Sequence, residues 1–240
     1  MKEKTYKLYF RALRKKYLEI FREKYKDITL PNKSSKALVI VEPRIHENLE
    51  FTIKNIAYYC KGWSLYIFHS KENKKLIEKI LAHNLTNTNL IEFSEGNITR
   101  DEYCNLLYSV DRFWNKIDAD MILIFQTDAY IRRRGIEDFL HYDYVGAPWA
   151  YSNHTEFSDL EFDIGNGGLS LRRKSVMIEI LKQNPPDKEV NEDLYFSYWC
   201  SKLNYKKPNK DEAMKVFVEQ IYYHDPIGLH QPNIFNNIKS

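Results

Sequence analysis

Uninterrupted apolar runs mark the buried strands of this chain. The clearest run, residues 121–125 with the sequence MILIF, predicts a strand covered on both faces of a sheet, as in α/β proteins. Residues 37–41, with the sequence ALVIV, predict a second strand of the same kind. Shorter apolar segments predict strands at residues 63–68 and 90–93. These four segments define the predicted sheet.

The segments between these strands have apolar residues at helical spacing. This spacing predicts helices at residues 46–60, 71–81 and 100–116, so strands and helices alternate along the first half of the chain. Such alternation implies an α/β fold with a mostly parallel, Rossmann-like sheet flanked by helices. The elements predicted further along are a short helix at 136–141, a strand at 169–173, a helix at 174–184 and an aromatic helix at 194–200.

The N-terminal segment, residues 4–27, has the pattern of a basic amphipathic helix. Apolar positions recur at three- and four-residue steps, at Tyr6, Phe10, Leu13, Tyr17, Phe21 and Tyr25. Either this aromatic stripe docks on the rest of the protein, or the helix lies on an anionic membrane surface. Residues 31–35, PNKSS, are typical of a linker. We therefore divide the chain into an N-terminal helix and linker, residues 1–35, and a domain, residues 36–240.

Composition narrows the functional classes. Of the 240 residues 43% are hydrophobic, which is enough for a folded core, and the net charge of +3 is too small to favour nucleic acid. No run of 18 apolar residues and no secretory signal pattern occurs, so we expect a cytoplasmic protein with at most peripheral membrane contact. Cys60, Cys104 and Cys200 lack metal-site spacing and are expected to be buried free thiols.

Polar residues follow the two clearest strands. Gln126, Thr127 and Asp128 end the MILIF run, at the strand end where open α/β sheets bind ligands. Asp128 is thus a candidate for chemistry, and a turn cap is the alternative. Glu42 and Arg44 follow the ALVIV run and are candidates for nucleotide contacts, with a solvated strand end as the alternative. Neither GxGxxG nor GxxxxGK[ST] occurs, which disfavours a dinucleotide or P-loop site.

A glycine-rich block, GNGG at residues 165–168, precedes the strand at 169–173. Three glycines in four positions indicate unusual backbone dihedrals or the close approach of a ligand, and a plain tight turn is the alternative. A Gly-Ala-Pro turn leads to Trp149, whose aromatic face suits ring stacking. Arg172 and Arg173 are candidates for phosphate contacts, with solvated side chains as the alternative.

Two further groups carry candidate chemistry. Glu192 and Asp193 lie at the predicted start of the aromatic helix, where the helix dipole favours carboxylates. Capping explains one of them, whereas a pair facing a cleft suits a general base. His224 and His230 lie in a terminal segment rich in glycine and proline, a setting that modestly favours a metal site.

Taken in order, these blocks resemble the GT-A type of glycosyltransferase, which uses nucleotide-sugar donors. The blocks are Gln-Thr-Asp at 126–128, Gly-Ala-Pro-Trp at 146–149, Gly-Asn-Gly-Gly-Leu-Ser-Leu-Arg at 165–172, Asn-Glu-Asp at 191–193 and Gly-Leu-His at 228–230. The chain resembles most closely a group of uncharacterised glycosyltransferase-like proteins with the same blocks. The resemblance covers about residues 37–235 and implies a GT-A-like domain.

The resemblance also implies residue roles. GT-A enzymes bind a divalent cation and the donor diphosphate with Asp-x-Asp after a central strand; here Gln126 replaces the first Asp and Asp128 remains. His230 matches a histidine that completes the metal site, so Mn²⁺ or Mg²⁺ held by Asp128 and His230 is the implied cofactor. Glu192 and Asp193 match the acidic motif that supplies the catalytic base, with Asp193 the first choice. Taking strand ends, aromatic faces and the resemblance together, the predicted donor-binding residues are Glu42, Arg44, Gln126, Thr127, Asp128, Gly167 and Gly168, and the predicted acceptor-binding residues are Trp149 and Asn166.

The expected activity is transfer of a sugar from a UDP- or GDP-linked donor to a hydroxyl of a glycan or other acceptor. Glu192 and Asp193 favour inversion, and a retaining mechanism, which needs no such base, is the alternative. Because Gln126 replaces a ligand, one alternative is a degenerate GT-A fold that binds a glycan or nucleotide without catalysis. A second alternative is a nucleotidyltransferase acting on sugar phosphates. That class usually carries a glycine-rich basic loop after its first strand, and residues 42–46 contain no glycine.

Overall fold

The chain alternates between strands and helices. The computed structural model describes residues 5–186 and 190–231, with side chains from residue 7 onwards. The strands are β1 Lys36–Val41, β2 Ser64–Ser70, β3 Thr88–Ser94, β4 Met121–Phe125, β5 Ala129–Ile131, β6 Tyr144–Val145, β7 Leu169–Arg173, β8 Phe217–Val218 and β9 Gly228–His230. The helices are α1 Thr5–Lys26, α2 Leu49–Tyr59, α3 Lys74–Leu81, α4 Arg100–Leu107, α5 Lys174–Gln183, α6 Glu192–Lys202 and α7 Lys210–Val216.

Six strands form the central sheet, in the order β3-β2-β1-β4-β7-β6. Strands β3, β2, β1 and β4 pair in parallel, and β7 pairs antiparallel with both β4 and β6. Among the described strands of this sheet, β7 alone runs against the others. The predicted α/β fold with a mostly parallel sheet flanked by helices is therefore confirmed. A second, smaller sheet has the order β5-β9-β8.

Helices cover both faces of the central sheet. Leu38 and Ile40 of β1 point into a core shared with α2 and α3, whereas Val39 points into the opposite core, shared with α4, α5 and α6. Alternate side chains of a strand point to opposite faces, so burial on both sides requires a continuous apolar run. All five residues of β4 are buried, which explains the MILIF sequence.

Helix α4 ends at Leu107, so the predicted helix at 100–116 is too long. Phe113 and Trp114 are adjacent in sequence and both fully buried in the same core. Beyond the helix end the chain turns and continues in a 3₁₀ turn, Trp114–Lys116, which carries the second of these rings. The indole Nε1 of Trp114 then donates to the carbonyl of Leu107 at 2.7 Å, which holds this turn against the helix end.

Two other predicted elements also differ. The helix predicted at 136–141 is a 3₁₀ turn, Ile136–Phe139, preceded by Gly135 at a φ of 127°. The terminal segment around His230, predicted as a loop, forms strand β9 between β5 and β8. Its residues 228–230 are all buried, because pairing on both sides encloses this strand.

Helix α1 docks on the domain through its aromatic stripe. Phe10, Phe21 and Tyr25 are at most 3% exposed, and the ring of Phe21 contacts Phe51 of α2 edge to face. The side chain of Arg22 donates to both carboxylate oxygens of Glu50, at 2.8 and 2.5 Å. Of the two interpretations of this helix, docking is the one observed. The side chain of Tyr6 lies outside the described part of the chain. So do residue 4, at the start of the predicted helix, and residues 232–240, at the end of the predicted domain.

The structure bears on two predictions that were made from composition. Cys60, Cys104 and Cys200 are buried free thiols, as expected. In the described part of the chain, no helix combines the length and the apolar character that a bilayer span requires.

Candidate functional site

Strands β1 and β4 end side by side at one edge of the sheet. They pair in parallel, from Lys36 opposite Met121 to Val39 opposite Ile124, so the residues that follow each strand meet in space. A cavity of about 550 Å³ opens there. It is lined by five of the seven residues predicted to bind a donor, which are Glu42, Arg44, Gln126, Thr127 and Asp128. Gly167 and Gly168 are not part of its wall.

Glu42 is buried and paired with Arg44. The Nε and Nη2 atoms of Arg44 donate to the two carboxylate oxygens of Glu42, at 2.8 and 2.7 Å. The backbone N–H of Arg44 donates to the same carboxylate at 2.9 Å, and Thr127 Oγ1 lies 3.4 Å from it. The strand end is thus a fixed polar structure on the cavity wall, and Arg44 is the half-exposed part of it.

Asp128 and His230 lie together, as the predicted metal site requires. The antiparallel pairing of β5 with β9 places Ala129 opposite His230, and the imidazole Nε2 lies 3.2 Å from Asp128 Oδ1. Burial favours a higher pKa for Asp128, but the charge and hydrogen bonding of His230 hold that pKa below its usual value. Burial opposes protonation of His230, yet Asp128 and Glu219 raise its pKa. Each member of the pair thus favours the charged form of the other.

The imidazole of His230 is incompletely satisfied. Both ring nitrogens are buried, and neither has a hydrogen-bond partner of good geometry among the described residues. Nδ1 lies 3.8 Å from Oε1 of Glu219, on the opposite side of the ring from Asp128. No group of three or more His, Cys, Asp or Glu side chains that could hold a metal occurs within residues 5–186 and 190–231. The residues present thus offer a metal two ligands, Asp128 and His230.

Glu219 belongs to this cluster, and the sequence analysis missed it. It follows β8, whose parallel pairing with β9 brings it beside His230. Burial raises its pKa to about 7, with further contributions from Asp193 and Asp128. Its Oε2 accepts a short hydrogen bond from the amide of Asn166. A two-residue strand has no periodicity to detect, so no sequence signal marks this carboxylate.

The glycine-rich block is explained by the packing of the protein's own side chains, and not by the predicted unusual dihedrals or ligand approach. Gly165, Gly167 and Gly168 do not adopt the left-handed φ region, and the groups that approach them are side chains of the protein itself. A Cβ at Gly165 would overlap the ring of Trp149, and one at Gly168 would overlap the imidazole of His230. At Gly167 it would overlap Oε1 of Glu192. The block is therefore a packing surface that lets three side chains approach the backbone.

Neither predicted acceptor-binding residue is exposed to the cavity. Trp149 is only 5% exposed and packs edge to face on His154 and Phe162 in the core. Asn166 is buried, with its amide nitrogen bound to Glu219 and its oxygen accepting from the N–H of Gly168 at 3.1 Å. Both side chains are used within the fold, because the loop before β7 folds inward over them.

The carboxylates of Glu192 and Asp193 have different surroundings. Glu192 is buried and accepts from Arg172 Nη1 at 2.6 Å, and burial raises its pKa despite that ion pair. Arg172 is fully buried, so the expectation that it contacts phosphate or is solvated is wrong. Arg173 pairs with Asp120 and Asp143. Both arginines are therefore structural.

Asp193 keeps a half-buried carboxylate at the start of α6. Its Oδ2 accepts from the N–H of Gly167 at 3.3 Å and its Oδ1 from the N–H of Leu194 at 2.9 Å. It is also close enough for its charge to raise the pKa values of Glu219 and His230. Asp193 is therefore within electrostatic reach of Glu219 and His230, and it does not line the cavity wall.

Other parts of the chain complete the cavity. Lys7 and Phe10 come from α1, and Asn97, Ile98, Thr99 and Arg100 come from the loop before α4 and its first residue. Tyr103 of α4 lies 3.5 Å from the amide of Gln126. These residues are far apart in sequence and share no motif, so only the tertiary structure identifies them. The predicted metal candidate His224 lies away from the cavity wall.

Comparison with known proteins gives a family and two distant structural likenesses. A family model described as "Protein of unknown function (DUF5672)" matches residues 87–230, and a search of curated proteins finds no match. The fold is similar to the crystal structure of the apo-form glycosyltransferase GlyE in Streptococcus pneumoniae TIGR4, with 12% identity, a TM-score of 0.48 and coverage of 82% of this chain. This chain spans about half, 54%, of that protein.

A second similar structure is 4-diphosphocytidyl-2C-methyl-D-erythritolsynthase from Anaerococcus prevotii DSM 20548. It is 12% identical, with a TM-score of 0.44 and coverage of 72% of this chain and 85% of that one. Because both TM-scores are below 0.5, neither likeness tells which reaction this chain performs.

Proposed function

The chain belongs to the DUF5672 family of proteins of unknown function, and from its site we propose that it is a glycosyltransferase using a nucleotide-sugar donor. The observation that carries this proposal is the cavity at the joined ends of β1 and β4. Its volume of about 550 Å³ lies within the roughly 300–1,000 Å³ typical of ligand sites. Ligands of open α/β sheets bind at this edge.

The polar wall of the cavity suits a nucleotide. Glu42, Arg44 and Thr127 form a fixed set of donors and acceptors of the kind that hold ribose and base atoms. Gln126 and Asp128 follow β4 and border the same space, and Asp128 lies beside His230. The donor's diphosphate would therefore lie near Asp128, with its sugar directed toward Asp193.

A divalent cation fits this site as a partly protein-bound ion. Asp128 offers one carboxylate, and His230 has a buried ring nitrogen without a well-aligned partner. Mg²⁺ is commonly held by one or two carboxylates, water and substrate phosphates, so two protein ligands are compatible with a metal that arrives with the donor. When bound, such an ion supplies positive charge that stabilises the departing diphosphate.

Asp193 is the proposed general base. In an inverting transfer the acceptor oxygen bonds to the anomeric carbon as the bond to the diphosphate oxygen breaks, and the acceptor proton passes to a carboxylate. Asp193 is half-buried, and the backbone N–H groups of Gly167 and Leu194 donate to its two carboxylate oxygens and so fix the orientation of the carboxylate. Glu192 is a poorer choice because its carboxylate is engaged by Arg172.

A thermal-shift screen tests the proposal. The protein would be heated with UDP, GDP and their sugar conjugates, each with Mn²⁺, Mg²⁺ or EDTA. A ligand at a hundred times its dissociation constant adds about 2.7 kcal/mol of stability, a readable shift. We expect one nucleotide to stabilise the protein, more strongly with metal, and its sugar conjugate to be consumed when acceptor glycans are added.

The other outcomes separate the alternatives. Stabilisation that survives EDTA would retain the donor site and remove the metal. Stabilisation without consumption of any sugar conjugate would point to a binding module without catalysis, if Asp193→Ala is stabilised by the same ligand as the wild type. Release of pyrophosphate from a nucleoside triphosphate and a sugar phosphate would point to a nucleotidyltransferase. Absence of any shift would contradict the proposal.

A further inference from the structure

The cavity wall contains two cations that have no ionic partner among the side chains that the structure describes. Lys7 of α1 and Arg100 of α4 both line the cavity and are exposed. Neither forms an ion pair with any of the described residues. They come from two different elements, and one of them lies outside the part of the chain that matches the family, residues 87–230.

The carboxylates of the same wall are each already paired. Glu42 pairs with Arg44, Glu47 lies 2.5 Å from Arg14, and Asp128 pairs with His230. No other Asp or Glu side chain of the described residues lines the wall. Within this part of the chain, the unpaired charge facing the cavity is therefore positive, and it comes from Lys7 and Arg100. A cleft lined by uncompensated charge of one sign attracts ligands of the opposite sign.

Helix α1 is fixed where it meets the cavity. Phe10 is 1% exposed, and Arg14 binds both Asn48, at 3.1 Å, and Glu47. Asn48 and Glu47 themselves line the cavity. Residues 7, 10 and 14 share one helix face, because side chains three and four positions apart are neighbours. The anchoring of Phe10 and Arg14 thus holds Lys7 at the cavity.

We infer that the N-terminal helix is a wall of the ligand site and that Lys7 and Arg100 together bind the anionic group of the ligand. The identity of that anion as the diphosphate of a nucleotide rests on the proposed function. Lys7 and Arg100 would then supply part of the positive charge that a carboxylate-bound metal supplies in the enzymes that the sequence resembles.

Calorimetric titration of the intact chain with UDP, GDP and inorganic pyrophosphate tests this inference. Lys7→Ala and Arg100→Ala should each weaken binding roughly tenfold, the effect of losing one hydrogen bond to a charged group. Lys7→Arg should restore most of the affinity. Lys15→Ala on α1 and Arg112→Ala after α4 remove the same charges from exposed positions off the wall, and should change affinity less than twofold. Affinity should also fall with salt, and less steeply in the two cavity variants.

Each outcome decides one question. Nucleotide binding that Lys7→Ala and Arg100→Ala weaken no more than their controls would overturn the inference and leave the proposed function standing. Pyrophosphate binding that depends on Lys7 and Arg100, without nucleotide binding, would support the anion site and contradict the proposed function. Failure of all three ligands to bind the wild-type protein would overturn both. Unfolding temperatures of all variants, measured in parallel, separate lost binding from lost folding.

Discussion

The imidazole of His230 lies directly over the backbone of Gly168, so closely that a Cβ on Gly168 would overlap the ring. The carbonyl of Gly168 in turn accepts from the N–H of Gln126 at 2.9 Å. The glycine block, the end of β4 and the His230–Asp128 pair therefore form one packed unit. A side chain at residue 168 would disturb all of them.

We expect Gly168→Ala to lower stability by about 1–3 kcal/mol through overpacking of a dense interior. Ligand stabilisation in the thermal-shift screen should fall with it, because His230 must move away from Asp128. Gly96→Ala is the matched control, since its Cβ would meet only the flexible end of Glu72. Denaturant unfolding of both variants measures the difference. Equal stability of the two variants would show that His230 is free to move.

The Arg172–Glu192 ion pair predicts a structural role for Glu192. Glu192→Ala should destabilise the fold by about 3–5 kcal/mol, because it leaves the fully buried Arg172 without a counter-charge. Glu192→Gln keeps an oxygen that can accept from Arg172 and should cost less. Unfolding free energies from urea titration measure both. A wild-type midpoint for Glu192→Ala would mean that water reaches Arg172.

Asp193→Asn should separate chemistry from folding. It keeps the size of the side chain, so we expect stability to fall by no more than about 1 kcal/mol, the usual contribution of a carboxylate in the first turn of a helix. Sugar transfer should nevertheless be lost, while donor binding persists. Turnover and donor affinity are measured on the same preparation. Retained turnover would exclude Asp193 as the base.

Anchoring of α1 should depend on its buried ring. Phe21→Ala removes a side chain that is 3% exposed and should lower stability by about 3–5 kcal/mol. Its neighbour Ile20 is 44% exposed, so Ile20→Ala should stay within about 0.5 kcal/mol of the wild type. Hydrogen exchange of the α1 backbone would show whether the loss is local to the helix or spreads to the domain.

Acid should weaken the same docking. Hydrogen bonding to Arg22, together with Lys54, lowers the pKa of Glu50 to about 2 against an ordinary value of 4.5. Since the folded pKa is depressed, this stabilisation is complete above about pH 4.5 and is lost as the pH falls toward 2. The pair is partly exposed, so its contribution is about 1 kcal/mol or less.

The unfolding temperatures of the wild type and Glu50→Gln should therefore differ at pH 7 and converge near pH 2.5. Glu23→Gln breaks the exposed pair with Lys26 and is the control, for which we expect little difference at either pH. A difference for Glu50→Gln that stays constant with pH would show that the ion pair is not the cause.

The buried strands were predictable because burial on both faces leaves a direct trace in sequence. The apolar runs at 37–41 and 121–125 correspond to β1 and β4, and the polar residues after them do meet at one cavity. The pairing of Asp128 with His230 was also predicted, through the resemblance. The strands and the polar residues after them form patterns of a few adjacent residues that are readable without the fold, whereas Asp128 and His230 are far apart in sequence and only the resemblance linked them.

Other parts of the site depend on contacts between distant segments. Glu219 follows a strand too short to show periodicity, and Lys7 reaches the cavity only because Phe10 and Arg14 dock α1. Trp149 was predicted to be available to an acceptor, but it fills the space that Gly165 leaves open. Sequence shows the residue types in such cases, whereas their surroundings are set by tertiary packing.

The strand order of the central sheet shows that the residues matched by the family model do not form a complete sheet. Residues 87–230 include β3 and β4, yet the two strands that separate them in the sheet, β1 and β2, precede that range. In a fragment of residues 87–230, β3 would have no neighbouring strand, and the edge of β4 that pairs with β1 would be exposed. The part of the chain that the family model matches is thus smaller than the part that forms the central sheet. A shortened version of this protein needs at least residues 36–231 to keep its sheet continuous.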